Sequence, residues 1–202
     1  MILPDGYSDV PAGKIATIVT SLEMLSPAPS RPVSAGGRWD LQRMERPSPD
    51  LYRDLYRRVG QDWLWFSRLR LGDAALAAII EDPAVEIYAL TVDGVAEGLV
   101  ELDYREPGEC ELAFFGVTAP MISTAAGRWL MNHAVERAWS RPIRRFWVHT
   151  CTLDHPKALA FYVRSGFVPF RQQVEVDDDP RLTGDAPPGA AAHVPVIRSR
   201  GS

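Results

Sequence analysis

The hydrophobic positions of the chain repeat with two different periods, and each period marks one kind of element. Alternation of apolar and polar residues, or a short run rich in β-branched and aromatic residues, predicts a strand. Such segments span residues 15–25, 38–45, 85–92, 96–104, 110–117, 145–152 and 167–176. Apolar residues three and four positions apart predict helices, which span residues 49–60, 73–81, 125–139 and 156–165. The aromatic-rich segment 62–71 predicts a short helix or a structured loop.

Local signals mark the ends of several elements. Ser48 followed by Pro49 is typical of an N-cap and a first helical position, and Gly60 is expected to end that helix. Asp93-Gly94 predicts a tight hairpin turn between two strands. Because hairpins join antiparallel strands, this order argues against a doubly wound nucleotide-binding sheet. We expect an α/β fold, with a mixed, mostly antiparallel sheet of about seven strands and helices on both faces.

Shifts in composition divide the chain into three parts. Residues 1–37 hold the first strand and a linker rich in Pro, Ser, Ala and Gly, and residues 38–176 form the main domain. Residues 177–202 form an extension in which a short strand is expected at 193–197. The strand at 15–25 is expected either to extend the sheet or to cross to a second subunit, so a homodimer is one expected assembly.

Composition and charge exclude some classes of function. The net charge of −4 and the pI of about 5.6 argue against a nucleic-acid-binding protein. The two cysteines, Cys110 and Cys151, lack the spacing of metal ligands, so neither a metal site nor a disulfide framework is expected. The N-terminus lacks a signal-peptide pattern, and no apolar run approaches the roughly 18 residues that span a bilayer. We therefore expect a cytoplasmic protein with no membrane partner.

Two segments carry more specific signals. The loop at residues 117–127 (VTAPMISTAAG) places small residues between a strand and a helix. In residues 152–167 (TLDHPKALAFYVRSGF), helical spacing puts Ala158 and Tyr162 on one face. Together with the order of strands and helices, these segments resemble the GNAT (Gcn5-related N-acetyltransferase) superfamily over roughly residues 38–176.

The resemblance implies a site for acetyl-CoA as a co-substrate. The GNAT loop has the pattern Gln/Arg-x-x-Gly-x-Gly/Ala, and its main-chain amides bind the CoA pyrophosphate at a helix N-terminus. Here Ile122 stands at the Gln/Arg position, Ala125 at the first glycine, and Gly127 matches the second. The same small residues are also typical of a plain helix start. The cofactor contacts implied are Phe115, Val117, Ile122, Ser123, Thr124, Ala125, Ala126, Gly127, Arg128, His155 and Ala158.

The second segment is similar to the GNAT segment Asn-x-x-Ala-x-x-x-Tyr-x-x-x-Gly-Phe. Ala158, Tyr162, Gly166 and Phe167 match it, and His155 holds the Asn position. In the family the alanine makes room for CoA, and the tyrosine hydroxyl lies near the thioester sulfur, where it can protonate the leaving thiolate. The alternatives are a core aromatic residue with a polar tip for Tyr162 and a plain N-cap for His155.

Glu111 is the predicted general base, because histone-type GNAT enzymes use a glutamate at the corresponding strand position, usually through water. A base is needed because a lysine-like amine has a pKa of about 10.4 and is protonated at neutral pH. Apolar neighbours are expected to raise the pKa of Glu111, although a solvent-facing glutamate is the alternative. Glu101, Asp103 and His149 are rival bases. A cysteine acyl-enzyme on Cys151, activated by His149, is a further route.

The resemblance places variable helices beneath the acceptor, and these correspond to the aromatic-rich segment. Trp63, Trp65, Phe66 and His149 are therefore predicted acceptor contacts, although the aromatic residues could equally be helix core. The expected function is direct transfer of an acetyl group from acetyl-CoA to an amine. A non-catalytic acyl-CoA-binding or regulatory module and a transferase of longer acyl chains are the alternatives. The acceptor stays open between small-molecule amines and protein or peptide amines.

Overall fold

The computed structural model describes residues 3, 5–33 and 38–199. Seven strands form one sheet: β1 (Lys14–Met24), β2 (Trp39–Arg43), β3 (Val85–Val92), β4 (Val95–Asp103), β5 (Glu109–Val117), β6 (Arg145–Cys151) and β7 (Val168–Asp178). The helices are α1 (Pro49–Gly60), α2 (Asp73–Ile80), α3 (Ala126–Trp139), α4 (Ala158–Arg164) and α5 (Pro180–Thr183). Short 3-10 turns occur at Gln61–Trp63 and Ala119–Met121.

The sheet has the order β2-β3-β4-β5-β6-β1-β7. Every neighbouring pair of strands is antiparallel except β5 and β6, which are parallel. One core packs α3 and α4 against one face of the sheet, and a second core packs α1 and α2 against the other face. The predicted mixed, mostly antiparallel sheet with helices on both faces is confirmed.

Helix α1 forms where the sequence predicts it. The Ser48 hydroxyl accepts a hydrogen bond from the amide of Leu51 at 3.3 Å, and Pro49 begins the helix. Gly60 ends the helix as expected, but its φ of −106° is open to any residue. Its side-chain position is filled by the ring of Trp65, so a methyl group at Gly60 would overlap that ring. Close packing therefore explains this glycine better than backbone conformation does.

Strand β1 lies inside the sheet, between β6 and β7. Its pairing with β6 runs from Val19 opposite Cys151 to Met24 opposite Phe146, and its other edge pairs with β7. Leu22 and Met24 are buried in the core beneath α3 and α4. Of the two expected arrangements, the strand extends the sheet of its own chain, and it does so from an interior position.

The short strand expected at 193–197 does not form, and that segment consists of turns and irregular chain. The buried Arg181 guanidinium, paired with Asp179, donates hydrogen bonds to the carbonyls of Ala190, Ala191 and Val194. Carbonyls that are bonded to a side chain are not available to a strand ladder. In the described ranges, no helix is long and apolar enough to cross a bilayer.

Candidate active site

The central feature of the sheet is an opening between β5 and β6. The two parallel strands pair only at Glu109–Arg145, Cys110–Phe146 and Glu111–Trp147. Beyond Glu111, β5 continues to Val117 along β4, and β6 continues to Cys151 along β1. The strands therefore separate, and the edge of β5 from Leu112 to Val117 has no ladder with β6. This opening between β5 and β6 is called the gap.

The loop from Thr118 to Ala125 leads from the open end of β5 into α3. Ser123 takes the left-handed conformation with φ of 66°, whereas Ala125, at the predicted first-glycine position, has an ordinary φ of −75°. Alanine is thus tolerated there without backbone strain. The Thr124 hydroxyl donates to the Met121 carbonyl at 2.7 Å and accepts from the Ala126 amide at 3.1 Å.

The first turn of α3 presents main-chain amides to open space. The first N–H groups of a helix have no partner within the helix. A side chain built at Gly127 would meet nothing within 4 Å, so the space beside Gly127 is open, whereas the Ala126 amide is already bonded to the Thr124 hydroxyl. Exposed amides at a helix N-terminus are suited to bind phosphate. The cradle predicted from the sequence is therefore sterically open at Gly127, and Ala126 is buried beneath it.

Phe115 and Val117 face α4 from the open part of β5. The Phe115 ring stacks on Phe161 at 5.7 Å between centroids and meets Tyr162 edge-on at 6.2 Å. Both Phe115 and Val117 are only half-buried, so apolar surface remains along the gap. Ala158, one turn before Tyr162, also packs on this core while half-exposed.

Tyr162 is buried, yet no group in the described chain forms a hydrogen bond with its hydroxyl. The hydroxyl oxygen itself is not fully enclosed, so it is free to form a hydrogen bond with a ligand or water. Burial, and to a smaller extent the charge of Asp154, raises the pKa of Tyr162, so the phenol keeps its proton at neutral pH.

Glu111 and His149 meet at the point where the strands separate. Glu111 Oε1 lies 3.3 Å from His149 Nδ1. The hydrogen bond that His149 donates to Glu111 raises the pKa of His149, although burial opposes the shift. About a quarter of the Glu111 side chain is exposed, so its neighbours are not the apolar enclosure expected from the sequence.

The two rival carboxylates are already bound by arginines. Glu101 is fully buried, pairs with Arg68 Nη2 at 2.6 Å and accepts a hydrogen bond from the Tyr52 hydroxyl. Asp103 accepts from both Arg105 Nε and Nη2, and this pairing lowers the pKa of Asp103 despite burial. Both carboxylates are therefore occupied by partners within the protein. This favours Glu111 and His149 as the groups that move a proton.

Asp154 is a central residue that sequence reasoning did not single out. Its carboxylate accepts hydrogen bonds from the Thr150 hydroxyl at 2.6 Å, the Cys151 amide at 3.0 Å and the Trp65 indole at 3.3 Å. It thereby ties the turn between β6 and α4 to the segment that follows α1. A turn-forming Asp three residues after a strand residue is a signal for such a cap, but its indole partner is 89 residues away in sequence.

Cys151 does not have the environment of a nucleophile. Burial, with the charge of Asp154, raises the pKa of its thiol, so the reactive thiolate is disfavoured. Its amide and the Thr150 hydroxyl serve to hold Asp154 instead. The geometry therefore gives no support to an acyl-enzyme on this residue.

An open groove of about 580 Å³ lies on the sheet face that carries His149. Trp147 and Phe170 supply its aromatic surface, and Glu109, Arg145 and Glu175 are among its charged groups. Its remaining lining comes from Val19, Ser21, Arg171, Gln173 and Val174. The groove therefore offers carboxylate and aromatic surface close to the Glu111–His149 pair.

The aromatic residues predicted to contact the acceptor lie elsewhere. Trp63 packs edge-on against His155, with ring centroids 5.1 Å apart. Trp65 packs against Tyr56 and Phe114, and Phe66 lies under the guanidinium of Arg70 at 4.0 Å. None of the three lines the groove, whereas His149 does. His155 also accepts a hydrogen bond at Nδ1 from the Lys157 amide at 3.1 Å, which matches the cap interpretation.

Comparison with known proteins gives matches in family and fold. A GCN5-related N-acetyltransferase from Sphaerobacter thermophilus superposes with a TM-score of 0.60 at 12% identity, over 84% of this chain and 53% of that chain. An IAA acetyltransferase from Bacillus cereus gives a TM-score of 0.52 at 19% identity, over 66% of this chain and 79% of that one.

An aminoglycoside acetyltransferase from an uncultured soil sample, solved with trehalose, gives a TM-score of 0.52 at 12% identity, over 63% of this chain and 86% of that one. The match to the Sphaerobacter protein covers only about half of the length of that protein. No curated protein matches the chain. The model of the acetyltransferase (GNAT) family matches residues 45–167, which is more than half of the sequence, and the chain therefore belongs to the GNAT family.

Proposed function

We propose that the protein transfers an acetyl group from acetyl-CoA to an amine by direct attack. The observation that carries this proposal is the gap between β5 and β6, which runs from the exposed amides of α3 to the Glu111–His149 pair. One end suits a phosphate-bearing ligand and the other end suits a proton transfer. The Tyr162 hydroxyl, free of protein partners in the described chain, lies on the wall of α4 beside the gap.

Several features of the chain fit CoA. The amides at the start of α3, with Gly127 uncovered, are placed to bind the pyrophosphate, and residues 122–126 shape the loop around it. Phe115 and Val117 give the pantetheine arm an apolar wall, while the unpaired edge of β5 offers main-chain groups to its amides. A main-chain amide on this edge would also polarise the thioester carbonyl.

Glu111 acts as the general base and accepts a proton from the acceptor amine through a water molecule. The amine loses one proton to the water, which passes its proton to Glu111, and the amine nitrogen then attacks the thioester carbon. His149, hydrogen-bonded to Glu111, shares the charge of the pair. As the carbon–nitrogen bond forms and the carbon–sulfur bond breaks, the Tyr162 phenol donates its proton to the thiolate. The raised pKa keeps the Tyr162 phenol protonated at neutral pH, so the proton is present for this step. The new amide nitrogen then loses its second proton through solvent, which returns a proton to Tyr162, and Glu111 releases its own proton to solvent.

The groove beside His149 is the proposed acceptor site. Glu109 is paired with Arg145, whereas Glu175 has no ion-pair partner in the described chain and can attract a cationic amine; Trp147 and Phe170 can contact the apolar part of the acceptor or its cation. The groove is open, so both small amines and amines on a peptide fit this description. The predicted acceptor residues Trp63, Trp65 and Phe66 remain a proposal for a substrate that extends towards α1.

The binding half of the proposal is tested by thermal unfolding with acetyl-CoA. At about 100 times Kd, binding adds about 2.7 kcal/mol of stability, which raises Tm by about 5 to 10 °C. Gly127→Val puts a side chain over the exposed amides without touching the described protein, so it should remove the shift and leave the ligand-free Tm nearly unchanged. Gly189→Val, also uncrowded, is the matched control and should keep the shift. No shift for the wild type at millimolar ligand would refute the proposal.

The catalytic half is tested by release of CoA thiol with a panel of amines. A non-catalytic acyl-CoA-binding module would give the thermal shift and no thiol release with any acceptor class. The Glu111–His149 pair and the partner-free Tyr162 hydroxyl favour the enzyme, because a binding module needs neither. A longer-chain transferase would instead release thiol faster from longer acyl-CoA esters than from acetyl-CoA.

We also propose that the protein forms a homodimer through β7. This strand is an edge of the sheet, and its residues are almost all exposed. An open edge of this length presents unpaired main-chain groups that can pair with another chain. Antiparallel pairing of two copies about Gln173 would set Arg171 of each copy opposite Glu175 of the other. Both side chains are exposed and lack an ion-pair partner in the described chain, so the edge carries complementary charge for its own copy.

A further inference from the structure

The indole of Trp65 lies across the gap on one face of the sheet. A side chain built at Gly116 of β5 would lie 3.3 Å from Trp65 Cη2, so the indole packs closely on the part of β5 that has no ladder with β6. The indole Nε1 also donates to Asp154 Oδ1 at 3.3 Å. Asp154 in turn accepts hydrogen bonds from the Thr150 hydroxyl and the Cys151 amide at the end of β6. The indole therefore joins the two strands at the open end of the gap.

Trp65 lies on the face of the sheet that carries α1. The side chain built at Gly116 would lie 2.6 Å from Val59 Cγ1 of α1, and it meets Trp65 on the same side. His149 belongs to this face too, because Val148 is buried beneath α3 and α4 and successive residues of a strand point to opposite faces. The proposed acceptor groove and the indole are therefore on one face of the gap, and α4 is on the other.

The neighbours of Trp65 leave its ring little room to move. The indole centroid lies 5.4 Å from that of Tyr56 and 5.2 Å from that of Phe114. A side chain built at Gly60, the last residue of α1, would lie 2.3 Å from the indole. Gly60 and Gly116 thus leave space for one tryptophan, and the hydrogen bond at Nε1 fixes its orientation. Close-packed side chains of this kind change position only at a cost, so the indole is a fixed boundary of the gap.

The acyl group of the proposed co-substrate has to fit against this boundary. An amine in the groove must reach the thioester carbon, so that carbon faces the side of the sheet that carries α1 when it reacts. The Tyr162 hydroxyl, on the opposite face, is the proposed partner of the sulfur. The charged Glu111–His149 pair at the closed end is unsuited to an alkyl chain. The alkyl part of the acyl group is therefore directed towards the apolar rings of Trp65 and Phe114.

We propose that Trp65 sets the length of the acyl group that the protein accepts, because its indole closes the gap to chains longer than acetyl. This inference rests on the proposed use of acetyl-CoA and names short acyl thioesters as the donor class. Behind the indole lie Tyr56, Val59 and Phe114, which belong to the core under α1. A smaller side chain in place of the indole would therefore open an apolar pocket that a longer chain can fill.

The test measures the Kd values of acetyl-, butyryl-, hexanoyl- and octanoyl-CoA by isothermal titration calorimetry, which requires no acceptor. The wild type should bind acetyl-CoA most tightly. Trp65→Leu should tighten hexanoyl-CoA relative to acetyl-CoA by about 10- to 100-fold, because each newly buried CH2 group strengthens binding by about fourfold. Trp65→Phe keeps an aromatic ring in the packing and should change the ratio in the same direction by a smaller factor, so the test does not depend on the stability of Trp65→Leu.

Trp39→Leu is the matched control. Trp39 is also half-buried and packs on Trp129, with ring centroids 6.1 Å apart. It lies on β2, an edge strand that β3 and β4 separate from the gap. The control variant should therefore keep the wild-type ratio between the Kd values of hexanoyl-CoA and acetyl-CoA.

The outcomes distinguish this inference from the proposed function. If Trp65→Leu and Trp65→Phe keep the wild-type ratio of Kd values, or if the wild type binds hexanoyl-CoA as tightly as acetyl-CoA, the inference is overturned and the proposed function stands. If Trp65→Leu weakens all four esters by one common factor, the residue acts through the fold and the inference is again overturned. If the wild type binds no ester at millimolar concentration, the inference and the proposed function are both overturned.

Discussion

His149 Nδ1 and Glu111 Oε1 lie 3.3 Å apart, and this contact joins β6 to β5 just where the two strands separate. The same two strands form the walls of the gap, so the pair stands at its closed end. Its carboxylate stabilises the protonated form of the imidazole, which raises the pKa of His149. The protonation state of the pair therefore changes at higher pH than that of an isolated histidine.

The pH dependence of turnover should reflect this pair. Below the raised pKa the proton on His149 neutralises Glu111 and makes it a weaker base, so kcat/KM should rise as pH passes through that pKa. His149→Gln removes the partner and should move the acidic limb to lower pH. Glu111→Gln should flatten the limb and lower kcat/KM by about 100-fold or more. The measurement is a pH–rate profile of thiol release for each protein.

The same pair makes a prediction for stability. Because the pKa of His149 is raised by folding, its contribution to stability is complete below the pKa of an unfolded histidine and is lost as pH rises through the folded value. Urea midpoints of wild type and Glu111→Gln should therefore differ more in mildly acidic than in alkaline buffer. In the pH–rate profile, an acidic limb unchanged by both His149→Gln and Glu111→Gln would exclude this pair as the base. Glu101, Asp103 or another group would then be the base.

Tyr162→Phe isolates the proposed acid, because it removes only a hydroxyl that has no partner in the described chain. Turnover should fall by about 100-fold, within the usual range for one proton donor, while the Kd for CoA changes by less than about threefold. Tm should stay close to that of the wild type, since no protein hydrogen bond is lost. Unchanged turnover would show that solvent protonates the thiolate and that Tyr162 is only a core residue.

Much of the fold follows from local pattern. Period-two and period-3.6 patterns locate all seven strands and α1 to α4 to within a few residues, and Ser48 and Gly60 mark the ends of α1. The position of β1 could not be predicted in this way. Alternation fixes which face a strand buries, but not its neighbours, and β1 pairs with strands more than 100 residues away in sequence.

Some residues of the candidate site could likewise be predicted from the sequence, and others could not. Glu111 and Tyr162 could be chosen by resemblance, whereas the relation between candidate bases depends on partners that sequence does not display. In the sequence, Glu101 looks like an unpaired carboxylate on a strand. In the structure, Arg68, which lies 33 residues earlier, donates a hydrogen bond to it. Asp154 is significant because Trp65 reaches it from the segment after α1. Such long-range pairs are created by folding and leave no local pattern.

Gly60 provides a test of the packing beneath the site. Gly60→Ala forces a methyl group against Trp65 and should lower the free energy of unfolding by about 1–3 kcal/mol, the usual range for overpacking. The urea midpoint measures this loss. Gly189→Ala is the control, because a methyl group there meets nothing within 4 Å. In a Trp65→Leu background the Gly60→Ala substitution should cost less, and an equal cost in both backgrounds would contradict the contact.

The proposed dimer predicts a reciprocal charge effect on β7. Because Arg171 of each copy would face Glu175 of the other, Glu175→Arg places arginine opposite arginine at two symmetric positions. The single variant should therefore be monomeric at concentrations at which the wild type is dimeric. The double variant Arg171→Glu, Glu175→Arg exchanges the two charges within each strand. Opposite charges then face each other again across the interface, so the dimer should recover. Sedimentation velocity over a dilution series gives the mass of each species.

Two features of this design separate pairing from damage to the fold. Both residues are exposed on an edge strand, so the single variant should keep the wild-type circular dichroism spectrum, and any loss of dimer can be assigned to the interface. Recovery in the double variant depends on the register about Gln173, since any other register would leave the reversed charges unmatched. A monomeric wild type at high concentration, or a double variant that stays monomeric, would refute this interface and leave β7 an open edge.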